Sequence, residues 1–213
     1  MRFDVLDSYF ETLKPFDIHE KILPKLNPGR KVLNTVDTIL DLQNNGQEGP
    51  IIGIAPGSRH QTKRWNEESF AGLADKIASR GDIPVFLGDK NDMVVIKRIG
   101  EYMTSKLISL AGEIDLALTI GVISHMDGFI TNDSGPMHIA GALDIPLVAM
   151  FGPTHPDLGF WPGYRSGTFI HSGIDCSPCS LHGFSPCRMH NRLCMDDITV
   201  EKALEALDEI MGN

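Results

Sequence analysis

Short, continuously apolar runs alternate with helix-like segments along most of this chain of 213 residues. Such runs predict strands that are buried on both faces, and the segments between them repeat their apolar positions at helical spacing. The pattern therefore indicates an α/β fold in which helices cover both faces of a parallel sheet. The predicted strands are residues 51–55, 84–88, 107–110, 129–130 and 147–151. The predicted helices are residues 66–79, 91–103, 115–124, 136–143 and 200–211.

The chain separates into two parts by pattern. Residues 1–49 are broken by prolines and are predicted to be partly helical and partly irregular. Residues 50–213 carry the regular alternation and are predicted to form one domain. Within that domain, residues 152–195 are predicted to be irregular and contain a Cys-rich loop at 171–195, and a last helix follows at 200–211.

The most informative local motif is residues 131–138, Thr-Asn-Asp-Ser-Gly-Pro-Met-His, which joins a predicted strand to a predicted helix. A helix start leaves backbone N–H groups unpaired and carries partial positive charge, so it is a natural anion site. Ser134 adds a hydroxyl donor, Gly135 lets a ligand approach the backbone, and His138 adds an imidazole. Pro136 suits a first-turn position. The motif suits the phosphates of a nucleotide, and the alternative interpretation is a well-capped structural helix.

A basic loop, residues 56–65, follows the first predicted strand and contains Arg59, Lys63 and Arg64. It lacks the glycine spacing of a P-loop, so an ATPase is a weak interpretation. Lys63 as a point charge, and Ser58 with the backbone N–H groups as donors, suit a diphosphate. A solvated basic loop is the alternative. Because both polar loops follow strands of a parallel sheet, we expect them to share one crevice.

Asp133 allows two interpretations. A carboxylate that faced a diphosphate would be repelled by it, so we favour a role in capping the helix or ordering the loop. A general base at the end of a strand is the second interpretation, and the sequence identifies no partner that would raise its pKa.

Composition excludes some classes of function. The formal net charge of −9 argues against a general nucleic-acid-binding surface. The sequence contains no apolar stretch long enough to span a bilayer and no signal-peptide pattern at its N-terminus. These features predict a cytoplasmic protein.

The four cysteines, Cys176, Cys179, Cys187 and Cys194, all lie within one segment. A Cys-x2-Cys pair followed by two more thiols can supply a tetrahedral site for structural zinc or iron. The second pair lacks this spacing. Free thiols and disulfides are the alternatives, and a reducing cytosol disfavours the disulfides.

Five short motifs follow one another along the domain. They are Pro56-Gly57-Ser58, Lys63-Arg64-Trp65, Leu110-Ala111-Gly112, residues 132–138 and Phe151-Gly152-Pro153-Thr154. In this order they resemble the ADP-heptose:lipopolysaccharide heptosyltransferase family, glycosyltransferase family 9. The resemblance extends over about residues 50–205, and the Cys-Ser-Pro-Cys segment at 176–179 is similar to that of many members.

The resemblance implies a GT-B architecture, in which two Rossmann-like halves enclose the substrates and the C-terminal half holds the nucleotide-sugar donor. This chain would be that C-terminal half, with residues 1–49 a remnant of the inter-domain connection. The donor-binding residues that the resemblance implies are Ser58 and Lys63 at the phosphates, Ser134, Gly135 and His138 around the diphosphate, Asp133, Pro136 and Met137 in the same turn, and Ile114 near the adenine. The four cysteines resemble the iron-binding finger of autotransporter-modifying heptosyltransferases.

The implied activity is inverting transfer of heptose from ADP-heptose to a lipopolysaccharide-core or protein acceptor, with no cofactor for the transfer itself. Family members carry an N-terminal half that binds the acceptor and supplies an aspartate base. Residues 1–49 are too short for such a half, so we expect this chain to be incomplete alone, with a separate N-terminal half as a candidate partner. The alternatives are a non-catalytic nucleotide-sugar-binding module and a GT-B enzyme with a different donor. The expected location is the cytoplasm, with peripheral attachment to the inner face of the bacterial inner membrane as a further expectation.

Overall fold

The computed structural model describes residues 4–44, 47–183 and 186–212. Five parallel strands form one sheet in the order β2-β1-β3-β4-β5. They are β1 Ile51–Ala55, β2 Ile83–Phe86, β3 Gly128–Asn132, β4 Leu147–Phe151 and β5 Gly167–His171. The prediction of a parallel α/β sheet is confirmed.

Helices precede, connect and follow the strands. In the described ranges they are α1 Val5–Glu11, α2 Arg30–Asn44, α3 Glu67–Ser79, α4 Met93–Tyr102, α5 Leu116–Ile123, α6 Gly135–Ala142, α7 Leu193–Asp196 and α8 Val200–Met211. Four of them begin at polar side chains that accept a backbone N–H bond from the first turn: Asp4 for α1, Asn66 for α3, Asp115 for α5 and Thr199 for α8. None of these helices is long and apolar enough to cross a membrane, as far as the described residues show.

The two faces of the sheet bury separate cores. Because side chains alternate along a strand, Ile52 and Ile54 of β1 face a layer made by α3, α4 and α8. Phe129 of β3 faces the opposite layer, to which α2, α5 and α6 contribute. The prediction that helices cover both faces is therefore confirmed.

The edges of the sheet differ from the sequence prediction. Residues 107–110 do not form a full strand. Instead, Ser109 pairs with Phe86 through a single isolated bridge. The fifth strand is β5, which lies inside the segment predicted to be irregular. It is an edge strand whose residues are only partly buried, so its sequence lacks the continuous apolar run that marks the central strands.

The N-terminal segment packs onto the rest of the chain. Val36 and Leu40 of α2 are buried in the second core, and a Cβ added at Gly121 of α5 would lie 2.5 Å from Val32. Leu26 N–H donates to the carbonyl of Ala142 at 2.9 Å. The division of the chain at residue 50 stays a prediction.

Asp75 of α3 holds the segment after α4 in place through hydrogen bonds. Its carboxylate accepts backbone and hydroxyl hydrogen bonds from Thr104 and Ser105 at 2.6 to 3.1 Å. Burial alone would raise the pKa of this carboxyl, but these hydrogen bonds lower it from 3.8 to about 2.

A carboxyl group whose folded-state pKa is depressed stabilises the fold above its unfolded-state pKa, and this contribution is lost as the pH falls through the folded-state pKa. We expect Asp75→Asn to lower the free energy of unfolding by about 1 kcal/mol at neutral pH. The difference from wild type should shrink between about pH 4 and pH 2, as measured by urea denaturation. A difference that stays constant over this range would contradict the assignment.

Candidate functional site

Asn132, at the carboxyl end of β3, joins the two polar loops. Its side-chain amide donates to the carbonyl of Pro56 at 2.8 Å, and its side-chain oxygen accepts from the N–H of Trp65 at 3.1 Å. Asn132 is fully buried. Residues 56–65 and residues 131–138 therefore lie side by side at the carboxyl ends of the parallel strands, as the strand pattern predicts.

A cavity of about 510 Å³ lies between these loops. Three chain segments line it: the loop after β1, the loop after β2, and the turn into α6. Their contributing residues include Ser58, Arg59, Arg64, Gly88, Asp92, Ser134, Gly135 and Pro136. This volume suits a small-molecule ligand, and the cavity brings the predicted Ser58 together with three residues of the predicted helix start.

Lys63 and Asp133 form a largely buried ion pair between the basic loop and the turn into α6. Lys63 Nζ lies 2.7 Å from Asp133 Oδ2 and 3.3 Å from the Asp133 carbonyl oxygen. Thr154 Oγ1 donates to the same carboxylate at 2.7 Å. The side chains of Lys63 and Asp133 are only 14% and 9% exposed. Asp133 therefore ties the basic loop to the turn and to the loop after β4.

The turn into α6 is open where a ligand would approach it. A Cβ added at Gly135 would have no heavy atom within 4 Å among the described residues, apart from its chain neighbours and the backbone of its own helix. The Ser134 hydroxyl lies 3.3 Å from Thr131 Oγ1, and Pro136 occupies the first turn of the helix. This end of an eight-residue helix presents backbone N–H groups and partial positive charge to the cavity.

Five of the nine predicted donor-binding residues are not among the described residues that line this cavity: Lys63, Ile114, Asp133, Met137 and His138. Met137 is fully buried and belongs to the second core, so its side chain faces the interior. Ile114 packs against that same core and does not appear among the described residues that line the cavity. The predicted contacts of both residues with a donor stay predictions.

His138 pairs with Tyr164, a residue that the sequence did not single out. The two side chains meet at 2.9 Å between His138 Nδ1 and the Tyr164 hydroxyl. Burial lowers the pKa of His138, Asp133 opposes this shift, and Lys63 reinforces it. His138 is therefore neutral at neutral pH.

Asp92 is a second residue that sequence reasoning missed. Its carboxylate lies in the cavity wall against two glycines, since a Cβ added at Gly57 or Gly88 would come within 2.3 Å or 2.6 Å of this side chain. It accepts from the N–H of Asp89 at 3.1 Å. Burial raises the pKa of Asp92. Gly57 and Gly88 each lie two residues after the end of a strand, β1 and β2, and these glycines were the available signal for the close approach.

The Cys-rich segment packs against the basic loop and makes hydrogen bonds to it. Thr62 Oγ1 donates to the carbonyl of Gly183, and a Cβ added at Gly183 would lie 2.7 Å from the Lys63 side chain. Arg192 Nη1 donates to the carbonyl of Gln61 at 3.2 Å. These contacts limit the space in which the Lys63 side chain can move.

The four cysteines are free and line a separate cavity of about 660 Å³. Burial and the proximity of the other thiols raise the pKa of Cys194 to about 11. Backbone hydrogen bonds, led by that of Arg192, lower the pKa of Cys187. Within the described ranges, no group of three or more His, Cys, Asp or Glu side chains is arranged to hold a metal ion. The predicted metal site at Cys176, Cys179, Cys187 and Cys194 is therefore not supported.

Comparison with known proteins gives concordant matches. The sequence model described as "Glycosyltransferase family 9 (heptosyltransferase)" matches residues 28–184. The chain is 33% identical over 171 residues to lipooligosaccharide heptosyltransferase 2 of Haemophilus influenzae, covering 78% of this chain and 48% of that protein. It is 37% identical over 170 residues to lipopolysaccharide heptosyltransferase 2 of Salmonella typhimurium, with the same two coverages of 78% and 48%.

A solved structure agrees with these matches. The structure of E. coli ADP-heptose lps heptosyltransferase II superposes with a TM-score of 0.74 at 26% identity, covering 91% of this chain and 55% of that chain. The chain spans about half the length of the curated relatives it matches.

Proposed function

The chain belongs to glycosyltransferase family 9, the heptosyltransferase family, and we propose that its cavity between the two polar loops binds the ADP-heptose donor. In the proposed reaction the heptose is transferred with inversion to a lipopolysaccharide-core or protein acceptor. The E. coli structure that it resembles is described as that of an ADP-heptose lps heptosyltransferase. The donor, the acceptor and the activity of this chain are therefore inferred from family membership and from the geometry of the site.

One observation carries the proposal. The open start of α6 at Ser134 and Gly135 lines the same cavity as Ser58, Arg59 and Arg64. A diphosphate in this cavity would meet backbone N–H groups and a hydroxyl from the α6 turn, and cationic side chains from the basic loop. The leaving group of the proposed reaction is ADP, whose developing negative charge such a site would stabilise.

Lys63 has a distinct role in this proposal. Its ammonium group has three N–H donors, and the contacts with the Asp133 carboxylate and carbonyl oxygen use two of them. Lys63 is not among the described residues that line the cavity, so its contact with a donor phosphate stays a prediction. Because Asp133 neutralises Lys63, the cationic side chains that line the cavity are Arg59 and Arg64, and the carboxylates of Asp89 and Asp92 line it as well.

The remaining parts of the reaction are not assigned to residues of this chain. They are the acceptor site and the base that removes the acceptor's proton. Transfer to a lipopolysaccharide core would place the protein in the cytoplasm, at the inner face of the inner membrane. The transfer uses no cofactor in this proposal, and elemental analysis of the purified protein tests for zinc or iron at the cysteines.

Calorimetric titration with ADP tests the donor site. We expect wild type to bind ADP and Arg59→Gln to bind it about tenfold more weakly, since one charge-assisted hydrogen bond contributes about 1.5 kcal/mol. Arg30→Gln is the matched control, because it removes the same charge from an exposed position on α2 and should leave the affinity unchanged.

A panel of nucleotides separates the competing donors. ADP should bind more tightly than AMP, which lacks one of the two phosphates, and more tightly than UDP. Tighter binding of UDP would overturn the heptose assignment in favour of a different donor. Absence of any ADP binding by wild type would overturn the proposed donor site itself.

A further inference from the structure

Tyr164 is held rigidly beside His138. Its ring packs so closely on α6 that a Cβ added at Gly141 would lie 2.4 Å from a ring atom. Trp161 packs edge-on against the same ring, with the centroids 5.3 Å apart. Tyr164 is 6% exposed. This packing therefore fixes the position of the Tyr164 hydroxyl, 2.9 Å from His138 Nδ1.

The direction of this hydrogen bond decides which nitrogen of His138 carries the proton. A neutral imidazole has one N–H donor and one bare nitrogen acceptor. A phenol hydroxyl always has a proton to donate, and no other acceptor for the Tyr164 proton is found among the described residues. If Nδ1 donated to Tyr164 instead, that proton would have no protein acceptor among the described residues and would depend on water in the cavity of about 220 Å³ that both side chains line.

We propose that Tyr164 is a positioning residue whose hydroxyl donates to His138 Nδ1 and so keeps the imidazole proton on Nε2. His138 is not among the described residues that line the proposed donor cavity, and it lines a second cavity of about 220 Å³ together with Tyr164. From Nε2 the proton would be donated to a phosphate oxygen of a nucleotide-sugar donor that extends to His138. This last step rests on the proposed function, whereas the control of the tautomer does not.

The charges around the pair fit this arrangement. Burial raises the pKa of Tyr164 to about 12, so the hydroxyl keeps its proton throughout the neutral range. Burial also lowers the pKa of His138, with Lys63 adding to this shift and Asp133 opposing it. Since the ring is neutral, its tautomer decides whether Nε2 repels an anion or donates to it.

Nitrogen NMR of ¹⁵N-histidine-labelled protein tests the tautomer without any ligand. We expect His138 of wild type to show a protonated Nε2 and a hydrogen-bonded, unprotonated Nδ1. Tyr164→Phe keeps the ring but removes the hydroxyl, so the Nδ1 signal should lose its hydrogen-bond shift and a fraction protonated on Nδ1 should appear. Tyr102→Phe, which changes an exposed tyrosine on α4, should leave the His138 signals unchanged. A wild-type His138 protonated on Nδ1 would overturn the proposal.

ADP titration tests the consequence for binding. Tyr164→Phe should weaken ADP binding about threefold to tenfold. In a His138→Gln background, where the amide donates whatever Tyr164 does, Tyr164→Phe should have no further effect. An equal loss in both backgrounds would show that Tyr164 acts only through packing and would overturn its positioning role. If wild type fails to bind ADP, the proposed function fails, and the NMR result still decides the tautomer.

Discussion

Asp133→Ala is expected to lower the free energy of unfolding by about 3 kcal/mol, because it leaves a largely buried ammonium group without its carboxylate. Lys63 Nζ lies 2.7 Å from Asp133 Oδ2, and the Lys63 side chain is 14% exposed. Thr154 Oγ1 loses its acceptor in the same variant, which adds to the cost. Urea denaturation at neutral pH measures the effect.

A double-mutant cycle separates the ion pair from other effects of the substitution. Lys63→Met in the Asp133→Ala background removes the unpaired charge, so the double variant should be more stable than Asp133→Ala alone. The matched control is Asp208→Ala, which breaks a more exposed pair with Arg80 and should cost much less. If Asp133→Ala costs no more than Asp208→Ala, the pair does not hold the two loops together.

The sequence predicted the centre of the sheet better than its edges. Residues 51–55 and 147–151 were predicted at the bounds that β1 and β4 have in the structure, because both strands are buried on their two faces and so read as continuous apolar runs. β5 was missed because an edge strand with partly exposed residues carries no such run. The starts of the helices predicted at residues 115–124 and 200–211 were readable because helix caps, here Asp115 and Thr199, act locally.

The candidate site was predictable only in its local parts. Ser58 and residues 134–136 were identified because each lies beside a strand end, and strand ends of a parallel sheet meet. Tyr164 was missed, and Thr154 was named only as part of a motif, since each acts through a side chain 26 or 21 residues away in sequence. No local pattern reports a contact over such a separation. Lys63 was identified by its charge, but its pairing with Asp133 depends on the tertiary structure.

Trp65→Ala should lower the free energy of unfolding by about 4 kcal/mol, since it removes a large side chain that is 2% exposed. The Trp65 ring packs edge-on against Phe70 with the centroids 5.0 Å apart. Its Nε1–H donates to the carbonyl of Ile198 at 2.9 Å, and its backbone N–H donates to Asn132. Trp65→Phe retains much of the apolar packing but loses the Nε1 hydrogen bond, so it should cost less. Urea denaturation of both variants measures the two contributions.

Trp65 also anchors the basic loop, and a matched core variant separates this role from overall stability. Leu207→Ala shortens a 2% exposed side chain on α8 and should cost about 3 kcal/mol. Because Leu207 lies away from the cavity, its variant should bind ADP like wild type under conditions in which it is folded. Trp65→Ala should bind ADP more weakly under the same conditions, since Arg59 and Arg64 then sit on a loop that has lost its buried attachment to α3 and to the segment before α8. Equal ADP affinities of the two variants would show that the loop keeps its geometry without Trp65, and that the hydrogen bonds of Asn132 suffice to hold it.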